Sequence, residues 1–229
     1  MKGFGHLDLM MEEHMIFEDD RGNVVDFFDK LPDEPVVVQI SGGIDSAVLL
    51  YCTGITYKNK SYKSKIHTIH GINLNRSKKR TWPYAENVVN WIKDHIKSTN
   101  IEDLYSFPYY KTQALYKPYH VAAKEYYKRR YNISRFLDGF NQWAIPMPND
   151  PHAAFLSPED IAAMADHTSP FGRVDKKFLA YQCKKYGLHE LTALTWGCIT
   201  DRVVPCQNCI GCIERRWGFG TYDGVYMSD

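Results

Sequence analysis

The chain has 229 residues, of which 44% are hydrophobic and 24% are charged, and 28 basic residues against 27 acidic ones leave a net charge of +1. This length suits one α/β domain with a sizeable core. The balanced charge excludes the broad positive field by which many proteins attract nucleic acids. No apolar run approaches the roughly 18 residues of a membrane-spanning helix, and residues 1–15 lack a basic stretch followed by a hydrophobic one. We therefore expect a soluble, cytoplasmic protein without membrane contacts.

Residues 1–33 are predicted to form an extension that packs on the main domain. Within it, residues 17–25 place the turn sequence Asp-Arg-Gly-Asn between two apolar segments, which predicts a small hairpin at the sheet edge. The main domain is predicted over 34–194, and residues 195–229 are predicted to form a C-terminal segment of the same domain. We expect no chemistry in the hairpin.

A short strand, a glycine turn and a helix are predicted to follow one another from residue 36. Residues 36–40 are apolar apart from one glutamine, and they are bounded by Pro35 and by two glycines shortly after the run. Apolar residues then recur with the spacing of a helix. These helical positions are Ile44, Ala47, Val48 and Tyr51.

The turn Ser41-Gly42-Gly43 is predicted to bind phosphate groups. Glycine permits a positive φ and lets backbone N–H groups point inward at an anion, and a helix N-terminus adds unpaired N–H groups and the positive end of its dipole. The hydroxyls of Ser41 and Ser46 are expected to donate to phosphate oxygens, while Asp45 caps the helix or helps to hold Mg²⁺. An ordinary glycine turn is the alternative. The predicted nucleotide-binding residues of this loop are Ser41, Gly42, Gly43, Ile44, Asp45 and Ser46.

A second parallel strand is predicted over 66–72, where polar and apolar residues alternate up to a glycine. Because the carboxyl ends of parallel strands face one crevice, Gly71 is assigned to the nucleotide site. His67 and His70 point to opposite faces of a strand at this separation, which argues against a shared metal ion. Helical spacing then predicts a crossover helix over 82–97. Its apolar positions are Ala85, Val88, Val89 and Ile92.

The middle of the chain is rich in tyrosine and in basic residues. Residues 105–119 contain many aromatic residues and lysines, and residues 126–131 have the sequence Tyr-Tyr-Lys-Arg-Arg-Tyr within a helical pattern. Such a segment stacks bases and holds phosphates in single-strand binding proteins. A helix with core tyrosines and a solvated charged face is favoured here, because the charge excess is local.

The loop at 144–151 is a candidate substrate lid. Further helices are predicted after Ser157 and over 175–186.

Four of the six cysteines lie close together, with the spacing C-x7-C-x2-C-x2-C. Such spacing presents several thiolates to one ion, and four thiolates satisfy tetrahedral Zn²⁺ in a closed site that stabilises the fold. An iron–sulfur cluster and four unrelated buried cysteines are the alternatives. The predicted ligands are Cys198, Cys206, Cys209 and Cys212. The residues expected to offset the thiolate charge are Arg202, Arg215 and Arg216, whereas Cys52 and Cys183 are expected to be core thiols.

The sequence Ser-Gly-Gly-Ile-Asp-Ser at 41–46 resembles the pyrophosphate loop of the PP-loop ATP pyrophosphatases, which split ATP into AMP and pyrophosphate. Together with Thr-Trp-Gly-Cys at 195–198, the later cysteines and Glu214-Arg215, it resembles the 7-cyano-7-deazaguanine synthase family of queuosine biosynthesis. Residues 169–187 extend the resemblance, which covers both ends of the chain. It implies a divergent member with an α/β, parallel-sheet adenine-nucleotide alpha hydrolase-like (PP-loop) fold and a C-terminal zinc-binding segment.

That resemblance implies an ATP-dependent carbon–nitrogen ligase that converts 7-carboxy-7-deazaguanine to 7-cyano-7-deazaguanine. It implies ATP, Mg²⁺ and Zn²⁺ as cofactors, and a small 7-deazaguanine-type carboxylate and ammonia as partners. Catalytic roles fall to Asp45, Ser46 and Lys176, the last as a phosphate or substrate contact. Nucleic acid is not expected as the direct substrate, and a homodimer is one option for the assembly.

The chain departs from this family in the segments near the acceptor. His70-Gly71-Ile72 stands where the family has Tyr-Gly-Gln, no Pro-Gly-Arg-Asn segment is present, and the family's Tyr-Pro-Asp-Cys-Arg loop has no match at 144–152. The acceptor therefore stays open between this acid and another one, and the reaction could stop at the amide. The alternative from another class is a noncatalytic zinc-containing module that binds nucleic acid or protein.

Overall fold

A computed structural model of the chain describes residues 15–73, 81–98, 100–109, 125–133, 135–142, 168–200 and 204–223. The predicted lid at 144–151, the helix after Ser157 and Arg202 lie outside these ranges. Among the described residues, no helix combines the length and the apolar character needed to cross a membrane.

The N-terminal hairpin is confirmed. Strands β1 (Phe17–Glu18) and β2 (Val24–Val25) pair antiparallel. Gly22 has a φ of +77° in the turn, a conformation that glycine adopts without the steric cost of a side chain. The turn is closed further by Asp19, whose carboxylate accepts from Asn23 at 2.9 Å.

The central sheet is parallel throughout and confirms the α/β class. Its strands are β3 (Val36–Gln39), β4 (Ile66–Asn73), β5 (Tyr105–Tyr109) and β6 (Arg135–Leu137). The spatial order is β5-β4-β3-β6, so the chain builds the sheet outward from β3 in one direction and later adds β6 on the other side. The point at which the order reverses is where open α/β sheets bind ligands, outside the carboxyl ends of the strands. This point lies between β3 and β6.

The described helices are α1 (Ile44–Asn59), α2 (Thr81–Ile96), α3 (which includes 125–131), α4 (Lys176–Lys185), α5 (His189–Ala193) and α6 (Ile210–Phe219). The sequence predicts α2 and α4 almost to the residue, and it predicts the start of α1 at Ile44. It does not predict β5 or α6. Helix α4 begins after Asp175, whose carboxylate accepts from the N–H groups of Lys177 and Phe178 at 2.9 and 3.1 Å and so acts as an N-cap.

Helices cover both faces of the sheet. On one face, Val36 and Val38 of β3 belong to a large buried cluster with residues of α1, α2 and α4. On the other face, Val37 and Ile69 form a smaller cluster with Tyr127 of α3. Nearly every residue of α1 is buried, as expected for a helix that is apolar on most sides. Each large apolar side chain that is fully buried contributes about 1.5–3 kcal/mol.

The hairpin packs on α4 as well as beside the sheet edge. Gln182 of α4 donates to the carbonyl of Glu18 at 3.0 Å. The Arg21 guanidinium donates to both carboxylate oxygens of Asp175 at 2.7 and 2.8 Å. Beyond β2, Phe27 lies 5.9 Å from the guanidinium of Arg135 in the edge strand β6. The hairpin therefore fixes the start of α4, which carries Lys176.

Candidate functional site

A cavity of about 280 Å³ lies beside the glycine loop that follows β3. Its walls come from the loop and first turn of α1, the first residue of α4, residues 196–199 and the first turns of α6. From the side of β6, Gly139 approaches so closely that a Cβ there would lie 2.7 Å from the Ser46 nitrogen. The cavity thus adjoins the reversal point between β3 and β6, where the topology predicts a ligand.

Hydrogen bonds of Ser41 and Ser46 fix the conformation of the glycine loop. Ser46 Oγ accepts from the Ser41 N–H at 3.1 Å and donates to the Gly43 carbonyl at 3.0 Å. The Gly43 N–H donates to Ser41 Oγ at 3.2 Å. Gly43 is the N-cap of α1 and makes no side-chain cap hydrogen bond, so no capping side chain satisfies the first N–H groups of α1. Ser46 therefore acts within the loop, and the helix N-terminus offers the N–H groups to an anion.

We expect Gly42→Ala to destabilise the fold more than Gly22→Ala. Both glycines have a positive φ, +83° and +77°, but a Cβ on Gly42 would lie 2.8 Å from the Thr81 carbonyl oxygen, whereas nothing lies within 4 Å of one on Gly22. The positive φ alone costs an alanine about 1–2 kcal/mol of stability. The close approach to Thr81 adds to that cost at position 42. Urea unfolding of both variants gives the two free energies of unfolding. If the two variants lose the same free energy of unfolding, the contact with Thr81 is readily relieved.

Lys176 lies between two carboxylates at the cavity. Its Nζ donates to both oxygens of Asp45 at 2.7 and 2.6 Å and lies 3.2 Å from Glu214 Oε2. Only 5% of Lys176 is exposed. Burial alone lowers the pKa of Lys176, but Asp45 and Glu214 outweigh burial and raise it, so the ammonium group stays charged. The structure thus brings together Asp45 and Lys176, two residues singled out in the sequence.

Glu214 is a site residue to which the sequence analysis assigned no role, although Glu214-Arg215 is part of the family resemblance. It lines the cavity, and its Oε1 is buried without a hydrogen-bond partner among the described residues. Burial raises the pKa of this carboxyl, although Lys176 acts in the opposite direction. Its sequence signals are its place two residues after the last cysteine and its part in the resemblance, and neither reveals that α6 turns it toward Lys176.

Gly71 is not among the described residues that line the cavity. It lies in β4 beside Phe107, and residues 74–80 lie outside the described ranges. The adjacent His70 is buried, with Nδ1 2.6 Å from the Ile40 carbonyl oxygen. Burial lowers the pKa of His70. On the opposite face of β4, His67 Nδ1 lies 2.6 Å from Glu102 Oε2, so the two histidines point apart as predicted.

The four predicted metal ligands lie together. The Sγ atoms of Cys198, Cys206, Cys209 and Cys212 all lie within 4.8 Å of one another. Those of Cys198 and Cys209 are 3.9 Å apart, and those of Cys206 and Cys212 are 4.0 Å apart. A tetrahedral ion with Zn–S bonds of about 2.3 Å holds its sulfurs about 3.8 Å apart. The cluster therefore fits a single ion such as zinc better than an iron–sulfur cluster, whose thiolates bind separate irons.

Hydrogen bonds to sulfur support thiolate ligands. The N–H of Cys206 donates to Cys198 Sγ at 3.4 Å, and the N–H of Cys209 donates to Cys206 Sγ at 3.3 Å. Thr200 Oγ1 lies 3.1 Å from Cys198 Sγ. Such outer contacts orient ligands and offset their charge.

The predicted charge compensation by arginine takes an indirect form. Arg215 is 1% exposed, donates to Thr195 Oγ1 at 2.7 Å and lies 3.3 Å from Asp223. Asp223 in turn accepts from the Cys198 N–H at 2.7 Å. Arg216 instead donates to the Tyr222 hydroxyl at the surface, at 3.0 Å. Arg215 therefore positions Cys198, a candidate metal ligand, through Asp223.

The segment 195–198 joins the metal centre to the glycine loop. The Trp196 N–H donates to the Gly42 carbonyl at 2.8 Å, and the Trp196 ring stacks on Tyr84 of α2 with centroids 5.3 Å apart. The first turn of α6 packs so tightly here that a Cβ on Gly211 would lie 2.1 Å from the Gly197 carbonyl oxygen. One wall therefore serves both the cavity and the cysteine cluster.

Cys52 and Cys183 are confirmed as core thiols. Both are fully buried on helices. Burial raises the pKa of Cys183 to about 12, and it raises that of Cys52 as well. Neither thiol is activated as a nucleophile, because a nucleophilic cysteine needs a lowered pKa and access.

Comparisons with known proteins assign no family to this geometry. No family model matches the chain, and no curated protein gives a significant match to it. The cavity and the cysteine cluster are therefore the features on which a function can be proposed.

Proposed function

We propose that this chain is an ATP-dependent carbon–nitrogen ligase with a PP-loop fold, and that it converts 7-carboxy-7-deazaguanine to 7-cyano-7-deazaguanine with ammonia. The observation that carries the proposal is the cavity in which the glycine loop at 41–46, Lys176 and the start of α6 meet. These groups lie at the position in the sheet where α/β folds bind nucleotides.

The cavity is suited to a polyphosphate. The N-termini of α1 and α6 border it, and neither N-cap residue, Gly43 or Cys209, caps its helix with a side-chain hydrogen bond. Each helix N-terminus carries about half a positive charge and unpaired N–H groups. Lys176 adds a full positive charge, and its movement from Asp45 to a phosphate would keep it paired.

The first step would be adenylation of the substrate. A carboxylate oxygen attacks the α-phosphorus of ATP, the bond to the β-phosphate oxygen breaks, and pyrophosphate leaves with the electron pair. N–H groups of the loop and of the first turn of α1 would stabilise this charge as it develops, and donors that are already oriented do so without reorganisation. Mg²⁺, which Asp45 would hold, shares the charge of the phosphates when bound.

The second step would replace AMP with nitrogen. Ammonia attacks the acyl carbon and expels AMP, and the proton that it loses passes to Glu214 Oε1, which has no partner among the described residues. The product is an amide. A second ATP then adenylates the amide oxygen, and loss of AMP and two protons leaves the nitrile.

The cysteine cluster would support the site without taking part in the chemistry. Four thiolates leave zinc no open position for water or substrate. Its place beside the cavity, through Trp196 and α6, indicates that it holds one wall in position. A second candidate keeps the adenylation but changes the acceptor or stops at the amide, and the departures at 70–72 and 144–152 favour it.

The test is a turnover assay with the full chain, ATP, Mg²⁺ and ammonia. We expect pyrophosphate and AMP to appear in equal amounts with 7-carboxy-7-deazaguanine, two of each for every nitrile, and none with 7-deazaguanine, which lacks the carboxylate. Mass spectrometry identifies the product. Pyrophosphate released only with another acid, or an amide as the final product, would support the second candidate. If no acid leads to release of pyrophosphate, the ligase proposal is wrong, and the alternative is a noncatalytic module.

A further inference from the structure

A second, smaller cavity of about 190 Å³ lies near the opposite end of β4. His67 pairs with Val37 of β3, which lies four residues before Ser41 of the glycine loop, so the two cavities are about 13 Å apart along the strand direction. Five of its eight lining residues are aromatic, namely His67, Tyr105, Tyr126, Tyr127 and Tyr131. The other three are Thr68, Glu102 and Asp103.

The tyrosine rings face the cavity from two nearly perpendicular directions. The ring of Tyr126 stands nearly perpendicular to those of Tyr127 and Tyr131, at 88° and 78°. Tyr127 and Tyr131 are tilted by only 32°, with centroids 5.5 Å apart. Tyr127 is buried in the core, but Tyr105, Tyr126 and Tyr131 are 51%, 49% and 45% exposed. Three large ring surfaces around one small cavity favour a flat aromatic ligand.

Positive charge lies directly beside this cavity. Tyr126 also borders a wide depression on α3, whose other lining residues are Glu125, Arg129 and Arg130. Lys128 is exposed on the same helix. Arg129 lies 3.6 Å from Glu125, both at the surface, and such a pair contributes little and exchanges readily. An aromatic cavity therefore adjoins a basic groove, with Tyr126 between them.

We infer that this surface binds single-stranded nucleic acid, with one base in the tyrosine cavity and neighbouring phosphates on Arg129 and Arg130. Stacking platforms next to basic grooves are the means by which proteins hold single strands. The two carboxylates that line the cavity already contact other side chains, Glu102 with His67 and Asp103 with Lys93, and a cationic ligand would also meet the repulsion of the three basic residues of α3. An acidic peptide would satisfy these charges but would leave the rings exposed. The inference is independent of the ligase proposed above, because none of these residues lines the first cavity.

The test is fluorescence anisotropy with labelled single-stranded RNA and DNA of about 12 nucleotides, without ATP. We expect Tyr126→Ala to weaken binding roughly 5- to 150-fold, the range found for loss of one stacked base. Tyr181→Ala, on α4, is the matched control and should leave binding unchanged. Circular dichroism and thermal melting verify that both variants are folded.

Charge is tested separately through the salt dependence. Removing two phosphate contacts with the double variant Arg129→Gln, Arg130→Gln should reduce the slope of log affinity against log salt by about 1.4. The double variant Lys184→Gln, Lys185→Gln, at exposed positions of α4, should keep the slope. Absence of binding, equal competition by polyglutamate, or full affinity in Tyr126→Ala would overturn the inference. The turnover assay is unaffected by any of these results, so the two proposals fail separately.

Discussion

Asp45→Asn is expected to lower the rate of AMP formation at least ~100-fold, the loss seen when one group that stabilises transition-state charge is removed. Asp45 lies in the first turn of α1, holds Lys176 by two hydrogen bonds and is the carboxylate that would bind Mg²⁺ beside the glycine loop. Asparagine has almost the same shape but lacks the charge. The measurement is AMP formation in the turnover assay, under conditions that saturate the unmodified protein with substrate.

The control variant is Asp26→Asn, a surface carboxylate that pairs only with Lys30 among its described contacts. It should keep full activity. In Asp45→Asn the buried ammonium of Lys176 retains Glu214 as a partner, so the variant should remain folded and metal-loaded. Thermal melting verifies this point. If a folded Asp45→Asn protein forms AMP at an undiminished rate, the glycine loop does not take part in the reaction as proposed.

The features that the sequence predicts well are local ones. The run of valines, the two glycines and the helical spacing after Ile44 are contiguous, and each rests on a short-range rule: β-branched residues favour strands, glycine permits a turn, and apolar spacing of 3.6 favours a helix. The cysteine cluster is nearly local as well, because three of its ligands lie within one turn of backbone and the start of α6.

The features that the sequence does not predict depend on distant contacts. The family resemblance singles out Asp45 and Lys176 separately, but it does not predict their ion pair across 131 residues, and Glu214 joins them only because α6 packs on α4. A Cβ on Gly218 would lie 2.6 Å from Lys176 Cγ, so this packing needs a glycine whose role has no local signature. Strand β5 is missed for a related reason, since Pro108 and crowded aromatic residues obscure a strand that is defined by pairing with β4.

The shared wall at 195–198 makes the metal centre and the cavity parts of one structure. Trp196 is bonded to Gly42, and Cys198 is two residues further along. Cys209 is both a predicted ligand and the N-cap of α6. Loss of the ion should therefore release the first turn of α6 and one side of the cavity together.

Cys209→Ser is accordingly expected to lose both the metal and much of the stability. Loss of a structural metal belongs to the class of changes above about 4 kcal/mol, which for a chain of this size lowers the melting temperature by about 8–16 °C. Metal content by plasma mass spectrometry and thermal unfolding measure the two effects. Cys183→Ser, at a core thiol outside the cluster, is the control: it lowers stability through burial of a hydroxyl but should keep the full metal content. Zinc retained in Cys209→Ser at an unchanged melting temperature would contradict the metal centre, because binding and folding are coupled in such sites.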